Sequence, residues 1–145
     1  WSWSEKVRSH SNQRFIETVI KKYPVELYLP EGTYFDGAIE VEGLIRLEGE
    51  VHGKIHCPIA IIADTAKVTA EINAGCLYIE GNFRGIAKVF FLYLSKQGHC
   101  EGNIYTSCIF VEEGALMKSK VKIEKKEVSI QAGKFISLEN ETPTP

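Results

Sequence analysis

Apolar residues return along this chain at two periods, every second position within short runs and every 15 to 17 positions over most of its length. From Phe35 to Ile123 the phrase apolar, any, small, any, apolar occurs six times, at 35–39, 51–55, 68–72, 83–87, 100–104 and 117–121. The small residue stands at 37, 53, 70, 85, 102 and 119, in steps of 16, 17, 15, 17 and 17. Between the copies lie alternating pairs: Ile45/Leu47, Ala60/Ile62, Leu77/Ile79, Leu92/Leu94 and Ile109/Val111. Period two predicts strands with alternate residues inward, and a repeat this short has no room for paired helices. The pattern therefore predicts an all-β solenoid, a β-helix of about six coils. Ile45, Leu47, Val51 and Ile55 fill its interior, while Arg46, Glu48, His52 and Lys54 meet water. The small column marks a bend, which is expected at Gly53 and Gly102 to accept Ala but resist a stiff β-branched Val.

Ahead of the repeats, Val25, Leu27 and Leu29 alternate into a first coil that turns at Pro30-Glu31-Gly32. Behind them, Val128 falls 17 positions after Val111 and opens a partial last coil with Ile130, Phe135, Ile136 and Leu138. The solenoid domain is thus read as 25–138. Residues 1–24 form a tail and a short amphipathic helix, and 139–145, rich in Thr and Pro, a disordered end. In the helix Phe15, Ile16, Val19, Ile20 and Tyr23 share one face, and Arg14, Glu17, Lys21 and Lys22 the other. Ser11 or Asn12 caps it and Pro24 ends it. Solenoid ends need covers, so the helix is expected as a lid across the first coil, with membrane or partner binding as its alternative. Trp1, Trp3, Lys6 and Arg8 belong to a flexible tail or to a tether whose tryptophans sit at a lipid interface. No long polar cap follows the last strand, and an uncovered strand edge invites another copy to add on. The expected polymer interface is Val25, Leu27 and Leu29 at one end and Val128, Ile130 and Phe135 at the other.

Composition adds exclusions. A net charge of −2 and a pI of about 6.1 leave no electrostatic footprint for nucleic acid. No apolar run reaches the ~20 residues a membrane-spanning helix needs. The cysteines at 57, 76, 100 and 108 show no paired metal or redox spacing. Cys57 and Cys100 fall in apolar columns, so the thiols are expected to be buried, slow to react and housed in a reducing compartment. His52, His56 and His99 lie in different coils without a shared carboxylate, and the glutamates are scattered over outward positions. No catalytic site, metal or cofactor is expected. In the run 89–94, if Leu92 and Leu94 point inward then Phe91 and Tyr93 form an exposed aromatic stripe suited to a partner.

The stretches EGTYFDGAIEVEGLIRLEGEVHGKI at 31–55 and EGNIYTSCIFVEEGALMKSKVKI at 101–123 resemble the repeated core of the bactofilins, bacterial polymer-forming cytoskeletal proteins. The resemblance implies a right-handed triangular β-helix that joins end to end into non-polar filaments without nucleotide. It also implies a cytoplasmic protein at the inner face of the membrane that scaffolds cell-wall enzymes and cell shape. This chain departs from the family pattern in its helix before the coils and in the Cys and aromatic content of its middle coils. Two other classes compete. One is a monomeric or dimeric adaptor working through Phe91 and Tyr93. The other is a left-handed β-helix acyltransferase, which expects Gly directly after the aliphatic residue and an unbroken period of six. Here Gly49, Gly53 and Gly81 come two residues after Leu47, Val51 and Ile79, and the register resets in every coil.

Overall fold

Thirteen-residue runs such as 50–62 place an apolar side chain at nearly every inward position, and each run becomes one long bent strand. The computed structural model describes residues 22–124 in full and the backbone of 128–131 and 134–137. Its strands are β1 (Val25–Leu29), β2 (Tyr34–Glu40), β3 (Leu44–Leu47), β4 (Glu50–Ile62), β5 (Lys67–Ile79), β6 (Asn82–Leu94), β7 (His99–Val111), β8 (Leu116–Ile123), β9 (Val128–Gln131) and β10 (Lys134–Ser137). The first eight form one parallel sheet wound into a solenoid of about six coils.

The ladder reproduces the sequence period. Gly37, Gly53, Ala70, Gly85, Gly102 and Ser119 are successive partners, as are Ile45, Ala60, Leu77, Leu92 and Ile109. Each full coil is interrupted three times. It bends at the small column, skips Pro58, Gly75, Phe90 or Ser107 in the ladder, and turns between successive long strands. Inward residues from every coil fuse into one core, with Ile45, Leu47, Ile62, Ile72, Leu77, Ile79, Leu92 and Leu94 wholly buried. Thr106 takes an inward position too, its hydroxyl 3.0 Å from the Cys108 carbonyl and 3.1 Å from that of Phe90. Those carbonyls satisfy a hydroxyl that would otherwise be costly to bury.

At Gly53 and Gly102 the backbone runs at φ of +132° and +120°, and a Cβ would stand 1.8 Å and 2.0 Å from the carbonyl oxygen of the preceding column member. The limit is therefore the first side-chain carbon, not β-branching, and the expectation that Ala fits these bends is corrected.

The end of the chain also departs from expectation. Val128 starts a strand, but its ladder partner is Ser137, and Ile130 faces Phe135 in an antiparallel β9–β10 pair outside the parallel sheet. Two residues with a Gly between strands are a hairpin spacing, and the count of 17 from Val111 is coincidence. The helix expected over 12–23, save Lys22 and Tyr23, lies outside the described residues, as do the tail with Trp1, Trp3, Lys6 and Arg8 and the segment 139–145.

Candidate assembly surfaces

Chemistry is sparse on the coils. Among the described residues no three His, Cys, Asp or Glu side chains gather as a metal site. His52 lies 3.0 Å from Glu50, while His56, which lies further along the same strand rather than in a different coil, and His99 on β7 are exposed. A shallow groove over Lys67, Phe83, Arg84, His99, Glu101 and Lys118 holds an exposed Arg84–Glu101 ion pair at 3.1 Å. Such a pair is screened by water and contributes little.

The two ends are richer. At the first coil the inward side chains of Leu27, Leu29 and Phe35 are half-buried and Ile39 is buried, while Val25, expected in the interface, is half-exposed at the start of β1. Glu48 receives a hydrogen bond from Tyr28 at 2.5 Å and a second from Arg46 at 2.9 Å. These bonds hold its carboxyl below the usual range. At the last coil Val121 and Ile123 continue the inward columns of Ile104 and Thr106, yet they are 39% and 48% exposed because no described strand follows β8 in the ladder. Val111, last in the Leu47 column, is 43% exposed. Among the described strands none pairs with the outer edge of β8. This end therefore offers both an open core cross-section and an unpaired ladder edge. Val111, Val121 and Ile123 were missed in sequence because the coil count ran on to Val128. The sixth copy of the repeat, at 117–121, was the signal that marked the true last coil.

A third surface lies outside the core. Leu44, Ile59, Ile61, Tyr78 and Tyr93 point away from the interior and form a separate buried cluster, with Tyr23, Cys76, Phe91 and Phe110 packed against it. Tyr93 stacks between Tyr78 and Phe110 at ring distances of 4.8 Å and 5.1 Å, and its hydroxyl donates to Glu112. Burial raises the pKa of both Tyr78 and Tyr93 and pushes the Cys76 thiol up to about 12. The aromatic stripe thus exists where alternation puts it, but it is not exposed. Tyr93 is 2% accessible and Phe91 half-buried, with aromatic rings stacked on both faces of Tyr93. Cys57 and Cys100 are buried as expected, Cys76 is intermediate, and Cys108, expected to be buried, is exposed. It occupies an outward position near the end of the column, after Phe91.

Residues 27–122 match the family model described as Bactofilin, polymer-forming cytoskeletal. No curated protein matches the chain. Among solved structures it is similar to the Thermus thermophilus bactofilin seen in a cryo-EM reconstruction of double helical filaments. The TM-score is 0.59 at 23% identity, over 68% of this chain and 99% of that one. At that identity the likeness speaks for the fold.

Proposed function

This chain belongs to the bactofilins, a family of polymer-forming cytoskeletal proteins, and from that premise we propose that it joins end to end, without nucleotide, into non-polar filaments. The observation that carries this is the open cross-section at β8, where Val121 and Ile123 stand exposed in columns that are buried one coil earlier. A second copy placed tail to tail supplies the missing neighbour, continuing the ~4.8 Å strand spacing. Contact between the two β1–β2 ends joins dimers into a polymer of alternating junctions. The driving force is apolar burial at ~25 cal/mol per Å² together with edge pairing, so no nucleotide enters.

In this reading the coils form a right-handed triangular helix, and the filament lies in the cytoplasm as a scaffold for envelope enzymes and cell shape. Among the described residues no helix is long and apolar enough to cross a membrane, and contact with the inner face falls to Trp1, Trp3, Lys6 and Arg8. Phe135, Val128 and Ile130 belong to the hairpin and serve as a second arm at the tail junction. The adaptor alternative loses its surface with the burial of Tyr93.

The test is negative-stain microscopy of the full chain without nucleotide. The parent forms filaments, and Val121→Arg/Ile123→Arg gives particles no larger than a dimer with unchanged β circular dichroism. Phe135→Arg shows whether the hairpin joins the junction. A parent that stays monomeric at high concentration overturns the reading, as do filaments that survive the double charge.

A further inference from the structure

Outward apolar side chains on this solenoid behave in two ways. Ile86, outward on β6 between Glu71 and Asn103, is 36% exposed, the normal state of an isoleucine on an open sheet face. Ile59 and Ile61, outward on β4, are each 5% exposed, although Ile61 has Arg46 on one side and Tyr78 on the other. Ladder neighbours shield only the flanks of a side chain, so the tips of this cluster have a cover that Ile86 lacks. The face extends over the outward column Leu44, Ile59, Cys76, Phe91 and Cys108.

The chain enters the solenoid at the first step of that column. Tyr23 packs on the cluster, and the Leu44 amide donates to the Pro24 carbonyl at 2.9 Å. Tyr23 is also the last member of the apolar stripe Phe15, Ile16, Val19, Ile20, Tyr23, while its neighbour Lys22, from the charged side, is exposed. On a helix that fixes the phase, because a stripe anchored on the cluster at Tyr23 faces it along its whole length. The lengths agree. Three ladder steps from Leu44 to Phe91 at ~4.8 Å span ~14 Å, and the eight helical steps from Tyr23 back to Phe15 at ~1.5 Å span ~12 Å, short of the exposed Cys108.

We propose that residues 12–21 form a helix lying along the outside of the solenoid, across its strands, with Phe15, Ile16, Val19 and Ile20 covering Ile59, Ile61, Tyr78 and Tyr93. The helix is then a cover for one flank and not a lid on the first coil, which leaves the β1–β2 end free. The inference stands apart from filament formation, and it is tested in the Val121→Arg/Ile123→Arg background so that polymer cannot do the shielding.

Two readouts serve, hydrogen exchange of amides 13–21 and alkylation of Cys76, each in full chains of unchanged β circular dichroism. The expected result is at least 100-fold slowed exchange in 13–21. Ile16→Asp/Val19→Asp abolishes that slowing, speeds Cys76 alkylation at least tenfold and raises binding of an apolar dye. Thr18→Asp, a charge of the same sign on the other helix face, changes neither rate more than twofold. Free exchange of 13–21 in the parent overturns the proposal, as does an Ile16→Asp/Val19→Asp variant with parental Cys76 reactivity. Protection of Cys76 that rises with protein concentration assigns the flank to a second copy, and protection that needs anionic vesicles assigns it to a membrane. Either result overturns the intramolecular cover.

Discussion

The middle coils and the end coils carry the same repeat and obey different rules. In β4 to β6 nearly all the inward residues are buried, as with Ile72 at 0% and Val89 at 6% exposure, while their counterparts Val121 and Ile123 on β8 stand 39% and 48% open. The small column divides the same way. Gly53 and Gly102 press against the carbonyl of the coil before, whereas a Cβ on Gly37, which has no coil before it, meets only the Phe35 ring at 3.4 Å. The last member is a serine, Ser119, whose hydroxyl bonds the Cys100 carbonyl at 3.1 Å. A position in this repeat therefore has no fixed energetic value. The value comes from the neighbouring coil, and an end position gains it only when another molecule supplies that neighbour.

The sharpest way to break the comparison is at the glycines. Gly53→Ala or Gly102→Ala drives a carbon into backbone and is expected to cost about 3 kcal/mol or more, measured by chemical denaturation. Gly37→Ala is expected to cost only about 1 kcal/mol, the penalty of an unfavourable φ alone. Equal losses at all three positions would show that the column is not set by the coil before. Next come the columns themselves. Ile72→Ala opens a cavity in the sealed core and should lose about 3 kcal/mol. Ile123→Ala in polymer-blocked chains should lose less than about 1 kcal/mol, since half its surface is already wet. In polymerising chains the gap narrows.

A smaller effect follows from pH. Burial pushes the Cys57 and Cys76 thiols up to about 12 from an ordinary 9.0. A thiol whose pKa is raised by folding stabilises the fold fully below pH 9, and that contribution is lost as pH climbs towards 12. Each is expected to cost about 2 kcal/mol by pH 10.5, and Cys57→Ala should flatten the denaturation midpoint over that window. At neutral pH Cys108 should alkylate fast and Cys57 and Cys100 only on unfolding; slow Cys108 would mean that the column end is covered. The smallest change expected is Arg84→Ala, within about 0.5 kcal/mol, because the pair with Glu101 lies in water. A larger loss there would move part of the middle coils' stability to their outside.

These differences explain what could be read from sequence. Alternation and the small column point to the strands β2 to β8, their parallel register and most of the inward set, because period two and a coil-length repeat are local properties of the chain; Val25, read as inward, instead pairs with the outward Leu44. The coil count failed at Val128, where apolar alternation is as good in a hairpin as in a solenoid and only pairing partners tell them apart. Phe91 and Tyr93 were placed on the correct side of the strand but given the wrong exposure. Alternation says which way a side chain points, while what lies over it depends on residues far off in sequence. The tail junction was half legible for the same reason. Leu27 and Leu29 continue the inward columns, but Val121 and Ile123 look like any other column members until the absence of a following coil exposes them.

The turn that closes each coil is two residues long at 48–49 and 80–81 and four at 30–33, 63–66, 95–98 and 112–115. Nearly all the variation in repeat length is absorbed there, with one further residue taken up at 41–43, and the columns on either side keep their register. A corner that already comes in two lengths is the natural place to carry foreign sequence. A short fluorophore-binding peptide inserted between the exposed Lys96 and Gln97 sits away from both ends of the subunit, once per copy. Assembly could then be watched in a living cell by light from within the polymer, with neither junction carrying the label.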